Sequence, residues 1–276
     1  MKIYGVDFTS VPSSKKAITC VQCRLDEDGL SLERFDRITS FNEFENFLRR
    51  PGPWVAGMDF PFGQPRKLIE NIGWPQTWEG YVRHVGEMTK SEFVETLAKY
   101  RDSRNKGDKQ HLRLTDIPAN SRSPMMLYGV PVGKMFFEGA HRLLDAGVSI
   151  LPCLVRDDPR MVVEAYPALV ARHWIEKRSY KNDEIKKQTP ARQSAREDIV
   201  HGLRPNEVKV YYGFDIHFDD DHADEFIYDG TGDQLDALLC AIQAGWAYSR
   251  QDQNYGIPTD CDPLEGWIVD PGMAKS

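Results

Sequence analysis

Apolar positions change period several times along the chain, and each change marks an element. Runs rich in β-branched and aromatic residues at 2–9, 15–25, 30–38 and 54–60 predict four strands. Ser10-Val11-Pro12-Ser13-Ser14 and Asp26-Glu27-Asp28-Gly29 separate the first three as turn-forming segments, which predicts an antiparallel meander. Between the third and fourth strands, Phe41, Phe44, Phe47 and Leu48 fall at helical spacing. Ser40 is placed to cap that helix, with Glu43 completing a capping box, and Pro51-Gly52-Pro53 ends it. A β-β-β-α-β order follows. Helical patterns at 67–72, 91–100 and 134–146 are interrupted by Gly, Pro and basic residues, so 64–159 reads as a mostly helical insertion or lid. A fifth strand at 160–166 leads into a helix opened by Pro167, a residue suited to the first helical turn. The last strong element, 233–248, carries Leu235, Leu238, Leu239, Ile242 and Trp246 on one stripe and small Ala237, Cys240 and Ala244 on its other side. It predicts a helix buried on both sides.

At 276 residues the chain can bury a sizeable core, and it is read as one domain over 1–276 with the insertion inside it. The longest apolar stretches, such as Trp54–Met58, fall far short of the roughly 18 residues that a membrane span needs. Lys2 is followed by four residues before Asp7 intervenes, which is no secretory leader, so a cytoplasmic location is expected. Five cysteines form no disulfide framework and fit a reducing compartment. Cys20 and Cys23, three apart in a strand, point to opposite faces and make no metal or redox pair. A net charge of −7 argues against coating nucleic acid by bulk attraction. Charge is uneven, however: 172–196 holds eight Lys/Arg against three Asp/Glu and 99–113 holds six against two, which makes these blocks the places to look for contacts to a polyanion.

The chemistry lies in the acids. Asp7 ends the first strand in Ile3-Tyr4-Gly5-Val6-Asp7, and Asp59 ends the fourth in Val55-Ala56-Gly57-Met58-Asp59. Each has a glycine two positions earlier on its own face, which predicts an open pocket beside the carboxylate. An ionised carboxylate on an apolar strand is costly unless it is paired or bound to a metal. Glu164 repeats the pattern near the end of the fifth strand. Asp233 and Asp236 lie one turn apart on the same face of the last helix. A right-handed crossover through the helix at 40–50 would return the fourth strand parallel to the first, placing Asp7 and Asp59 on one edge of the sheet. Ligands collect at that edge in open α/β sheets, and clustered carboxylates suit Mg2+ or Mn2+.

Gly5-Val6-Asp7-Phe8-Thr9, Met58-Asp59-Phe60-Pro61-Phe62-Gly63, Glu164-Ala165-Tyr166-Pro167 and Asp233-Gln234-Leu235-Asp236-Ala237 resemble the signature of the bacterial domain-of-unknown-function family 429, whose members are expected to be RNase H-like nucleases. The resemblance covers roughly 1–63 and 160–250. It implies an α/β ribonuclease H-like fold: a mixed five-stranded sheet in the order 3-2-1-4-5, with helices on both faces and a large insertion. By the same resemblance Asp7 would bridge the metals, Asp59 and Asp236 would hold them, and Glu164 and Asp233 would be auxiliary ligands or general bases.

A divalent-metal-dependent nuclease or phosphodiesterase acting on nucleic acid is therefore expected. Lys181, Lys186, Lys187, Arg192 and Arg196 are the candidate phosphate contacts. A separation of tens of ångströms between Asp7, Asp59 and Asp236, or a lysine plugging the point where they meet, would overturn it. An actin-like ATP-dependent phosphotransferase is the second possibility, but no glycine follows Asp7 closely, and Gly129-Val130-Pro131-Val132-Gly133-Lys134-Met135 lacks the spacing and the Ser/Thr of a P-loop. The third is a non-catalytic nucleic-acid-binding scaffold. His173 is expected to be a solvated helix residue, and Trp74, Trp78 and Tyr81 to pack in the core or a lid.

Overall fold

The computed structural model describes residues 1–204 and 206–274. It opens with β1 (Lys2–Asp7), β2 (Ile18–Asp26), β3 (Gly29–Ile38), α1 (Phe41–Leu48) and β4 (Trp54–Met58), the order that the hydrophobic pattern predicts. Ser40 caps α1 by accepting from the Glu43 N–H, but the Glu43 carboxylate accepts from the backbone of Thr39, so the box is displaced by one residue. Next come α2 (Arg66–Ile72), α3 (Trp78–Gly86), α4 (Lys90–Asp102), α5 (Asp116–Ala119), α6 (Val132–Ala146) and β5 (Ser149–Leu151). The chain then forms β6 (Arg160–Glu164), α7 (Pro167–Ile175), α8 (Pro190–Gly202), α9 (Lys209–Tyr212), β7 (Ile216–His217), α10 (Asp220–Tyr228) and α11 (Asp233–Ser249).

The sheet is mixed. β1 and β2, and β2 and β3, pair antiparallel, whereas α1 returns β4 parallel to β1 and β6 lies parallel to β4. The strands predicted as third, second, first, fourth and fifth occupy the centre in that order, but among the described residues the sheet has seven strands, β5-β6-β4-β1-β2-β3-β7. The five-stranded expectation missed β5 and β7 because strands of three and two residues are too short to show a period.

Helices cover both faces. One core holds α7, α8, α10 and α11 against Ile3, Val21, Val55 and Val163. The other holds α1, α2, α3, α4 and α6 against Tyr4, Val6, Ala56 and Val162, and here Trp74, Trp78 and Tyr81 are buried. Most of 64–159 is thus a helical layer on the sheet. Cys20 and Cys23 fall in different cores, on opposite faces.

Contact between α11 and the sheet depends on two glycines. A Cβ on Gly5 would lie 1.9 Å from the Ala237 carbonyl oxygen, and one on Gly57 would lie 2.3 Å from that of Cys240. The spaces expected beside Asp7 and Asp59 are therefore not open pockets. The backbone of α11 fills them, and close helix approach is what glycine permits here.

Candidate metal centre

Asp7 and Asp59 stand side by side because β1 and β4 are parallel and in register, with Val6 opposite Met58 and the Asp59 N–H donating to the Val6 carbonyl. Asp236, in the first turn of α11, comes down over them as the helix settles on Gly5 and Gly57. One carboxylate oxygen from each of Asp7, Asp59 and Asp236 lies within 4.8 Å of the others. Among the described residues, no hydrogen bond or ion pair reaches the carboxylate of Asp7 or Asp59. Burial is the main reason that Asp7 is pushed up to about 7 and Asp59 to about 6. Asp233 and Asp59 add to the effect at Asp7, and Glu164 adds at Asp59.

Lys181 opposes both shifts. Its ammonium forms an ion pair with Asp236, so a lysine does stand at the meeting point, the arrangement set out above as telling against the metal reading. Tyr180 donates to the other Asp236 oxygen at 2.6 Å, and burial beside Asp59 and Asp7 holds its phenol well above the ordinary value, keeping it a donor. Asp233 is drawn aside by Lys16, whose Nζ lies 2.7 Å from its Oδ1 and also pairs with Asp183.

Glu164 does not join the cluster. It lies opposite Met58 in the β4–β6 register, so the two-residue period of a strand sends its side chain to the face opposite that of Asp59. There it forms a buried bidentate pair with Arg113, which also grips Asp116, and it accepts from the Phe62 N–H at 2.9 Å. An auxiliary-ligand role for Glu164 is replaced by a structural one. The position aligned with Asp7 and Asp59 is that of Ala165, whose N–H bonds to the Met58 carbonyl.

The basic block also needs correction. Arg196 is 3 % exposed and donates to the carbonyls of Ile227 and Tyr180, so it shapes the segment that carries Lys181 and has no face for a phosphate. Arg192 donates to the Lys187 carbonyl and the Ser179 hydroxyl, Lys187 pairs with Glu184, and Lys186 projects into solvent. Only Lys181 of the five lines the cavities beside the acids. Sequence patterns missed Lys16, Tyr180 and Arg113. None carries a local motif, although Tyr180 is the neighbour of a residue already singled out and Arg113 ends a basic stretch. His173 is not the solvated residue expected: it is half-buried against the Tyr211 ring, 4.0 Å between centroids, with its Nε2 buried.

The donor set is oxygen only, three carboxylates with no thiol or imidazole, which suits a hard divalent ion.

The family model described as Protein of unknown function (DUF429) matches residues 5–262, including the central region that the four motifs leave out. No curated protein and no solved structure matches the chain. No helix among the described residues is long and apolar enough to cross a membrane.

Proposed function

The chain belongs to the DUF429 family of proteins of unknown function, and from that premise we propose that it is a ribonuclease H-like, divalent-metal-dependent nuclease or phosphodiesterase. Mg2+ or Mn2+ would be held by Asp7, Asp59 and Asp236, and the substrate would be nucleic acid. The observation that carries this reading is the convergence of three carboxylates, brought by two parallel strands and a helix, with donors for only one of them. The central strand order supports the fold assignment.

Lys181 has to be accounted for. Its single charge leaves the cluster under-compensated, since Asp7 and Asp59 remain raised to about 7 and 6 with the ammonium in place. A site built only as an ion pair with Lys181 has no use for two further acids without donors, one buried and one half-buried. The lysine side chain is 38 % exposed on the segment between α7 and α8, and its flexible stem lets the ammonium leave Asp236 and meet a substrate phosphate.

A bound divalent ion would lower the pKa of a ligated water and offset charge on the phosphodiester oxygens. Asp7 and Asp59 must surrender their protons to bind it. Tyr180 holds Asp236 in one orientation. Asp233, which shares Lys16 with Asp183, is the remaining carboxylate near Asp7 and would accept a proton from an incoming water. The test is twofold: Mn2+ should raise the melting temperature of the wild type but not of Asp7→Asn, and the wild type should cleave single-stranded, duplex or branched nucleic acid in Mn2+ while Asp7→Asn does not. Absence of either difference overturns the proposal.

A further inference from the structure

Two cavities, of about 540 and 350 Å³, meet over the acids and share Asp59, Val130, Met135 and Lys181. Their size is that of pockets that enclose small ligands, and Val130 and Met135 bridge them. The larger cavity is apolar on its walls, with Phe60, Pro61, Tyr166 and Pro167, and it carries Arg122 and Lys177 among its lining. Neither cation has a carboxylate partner among the described residues. Arg122 reaches only the Met126 sulfur, at 3.5 Å, and Lys177 makes no ion pair.

We infer that this cavity receives one unpaired nucleotide of a single strand, its base against the apolar wall and its flanking phosphates on Arg122 and Lys177, which directs the next phosphodiester over Asp59. The inference rests on the nuclease reading and names its substrate class. Bases in a duplex are stacked and offer only their edges in the grooves, so a paired base cannot lay its face against the wall of the cavity. An unpaired base can, and apolar or aromatic side chains then take the place of its stacking neighbours. Exposed cations without acidic partners beside such a wall complement the adjacent phosphates.

Binding can be read without turnover by fluorescence anisotropy in EDTA, with labelled oligothymidylate, oligouridylate and a blunt hairpin duplex closed by a non-nucleotide linker as probes. Wild-type protein is expected to bind at least one of the two single strands roughly tenfold more tightly than the hairpin. The two single-stranded arms distinguish DNA from RNA. The Arg122→Ala/Lys177→Ala double variant, changed at exposed positions, should lose roughly tenfold in single-strand affinity and flatten its salt dependence by about 1.4 logarithmic units per decade of salt. Equal or tighter hairpin binding, or an unchanged double variant, overturns the inference. Failure of the metal reading shows separately, as the absence of a Mn2+-dependent rise in melting temperature while strand binding in EDTA persists.

Discussion

Asp7 and Asp59 are acids whose folded pKa values, about 7 and 6, lie above the ordinary value of 3.8. The folded state therefore holds their protons more tightly than the unfolded chain does. Below about pH 4 both states are protonated and the two acids cost nothing. As pH rises towards 7 the unfolded chain ionises first and stability falls. Metal-free protein should accordingly lose melting temperature between about pH 4 and 7 on account of this pair, and Asp7→Asn should flatten that loss and gain on the order of 2 kcal/mol at pH 8. Mn2+ affinity measured by calorimetry should rise through the same window, with proton release, because the ion binds the ionised carboxylates. Lys181 gives a second prediction at this scale. Lys181→Met removes the competing ammonium from Asp236, so Mn2+ affinity at pH 7 should rise roughly tenfold, while cleavage falls because a phosphate contact is lost. Unchanged Mn2+ affinity would place Lys181 outside the metal's binding equilibrium.

α11 is the element that makes the site, and its seat on the sheet is set by what is missing from Gly5 and Gly57. Gly5→Ala would drive a methyl group into the Ala237 carbonyl, 1.9 Å away, with the Ala241 nitrogen at 2.4 Å. Backbone atoms cannot yield as a flexible side chain does, so unfolding in urea should show a loss of about 3 kcal/mol or more. Any Gly5→Ala protein that folds should also respond less to Mn2+, since Asp236 moves with the helix. β6 tells the complementary story. It ends on an acid as β1 does, yet the register places Ala165 beside Asp59 and leaves Glu164 on the other face, held by Arg113. Removing that guanidinium strands two buried carboxylates, Glu164 and Asp116, so Arg113→Met should cost about 3–5 kcal/mol in denaturant unfolding. A fully stable Arg113→Met protein would show that Glu164 is not held as an ion in the core.

Across the whole molecule, local pattern was enough to determine the β-β-β-α-β opening, the doubly buried last helix, the opposite faces of Cys20 and Cys23, and the acids at strand ends. All of these follow from periods of two and 3.6 acting over a few residues. The parallel pairing of β1 and β4 was also legible, because a right-handed crossover leaves little choice of topology. What only the tertiary structure decided was which acids share a point. Asp7 and Asp236 are separated by most of the chain, and their meeting depends on a helix lying on two glycines, which looked in the sequence like gaps. Glu164 was excluded by a register of one residue, and Arg196 was taken from the phosphate contacts by burial. Lys16, Tyr180, Lys181 and Arg113 acquire their partners through contacts between distant segments. The sequence alone determines what each residue can do within its own strand or helix, since propensity and period are short-range. Which charges must neutralise one another is settled only when folding removes water from between them.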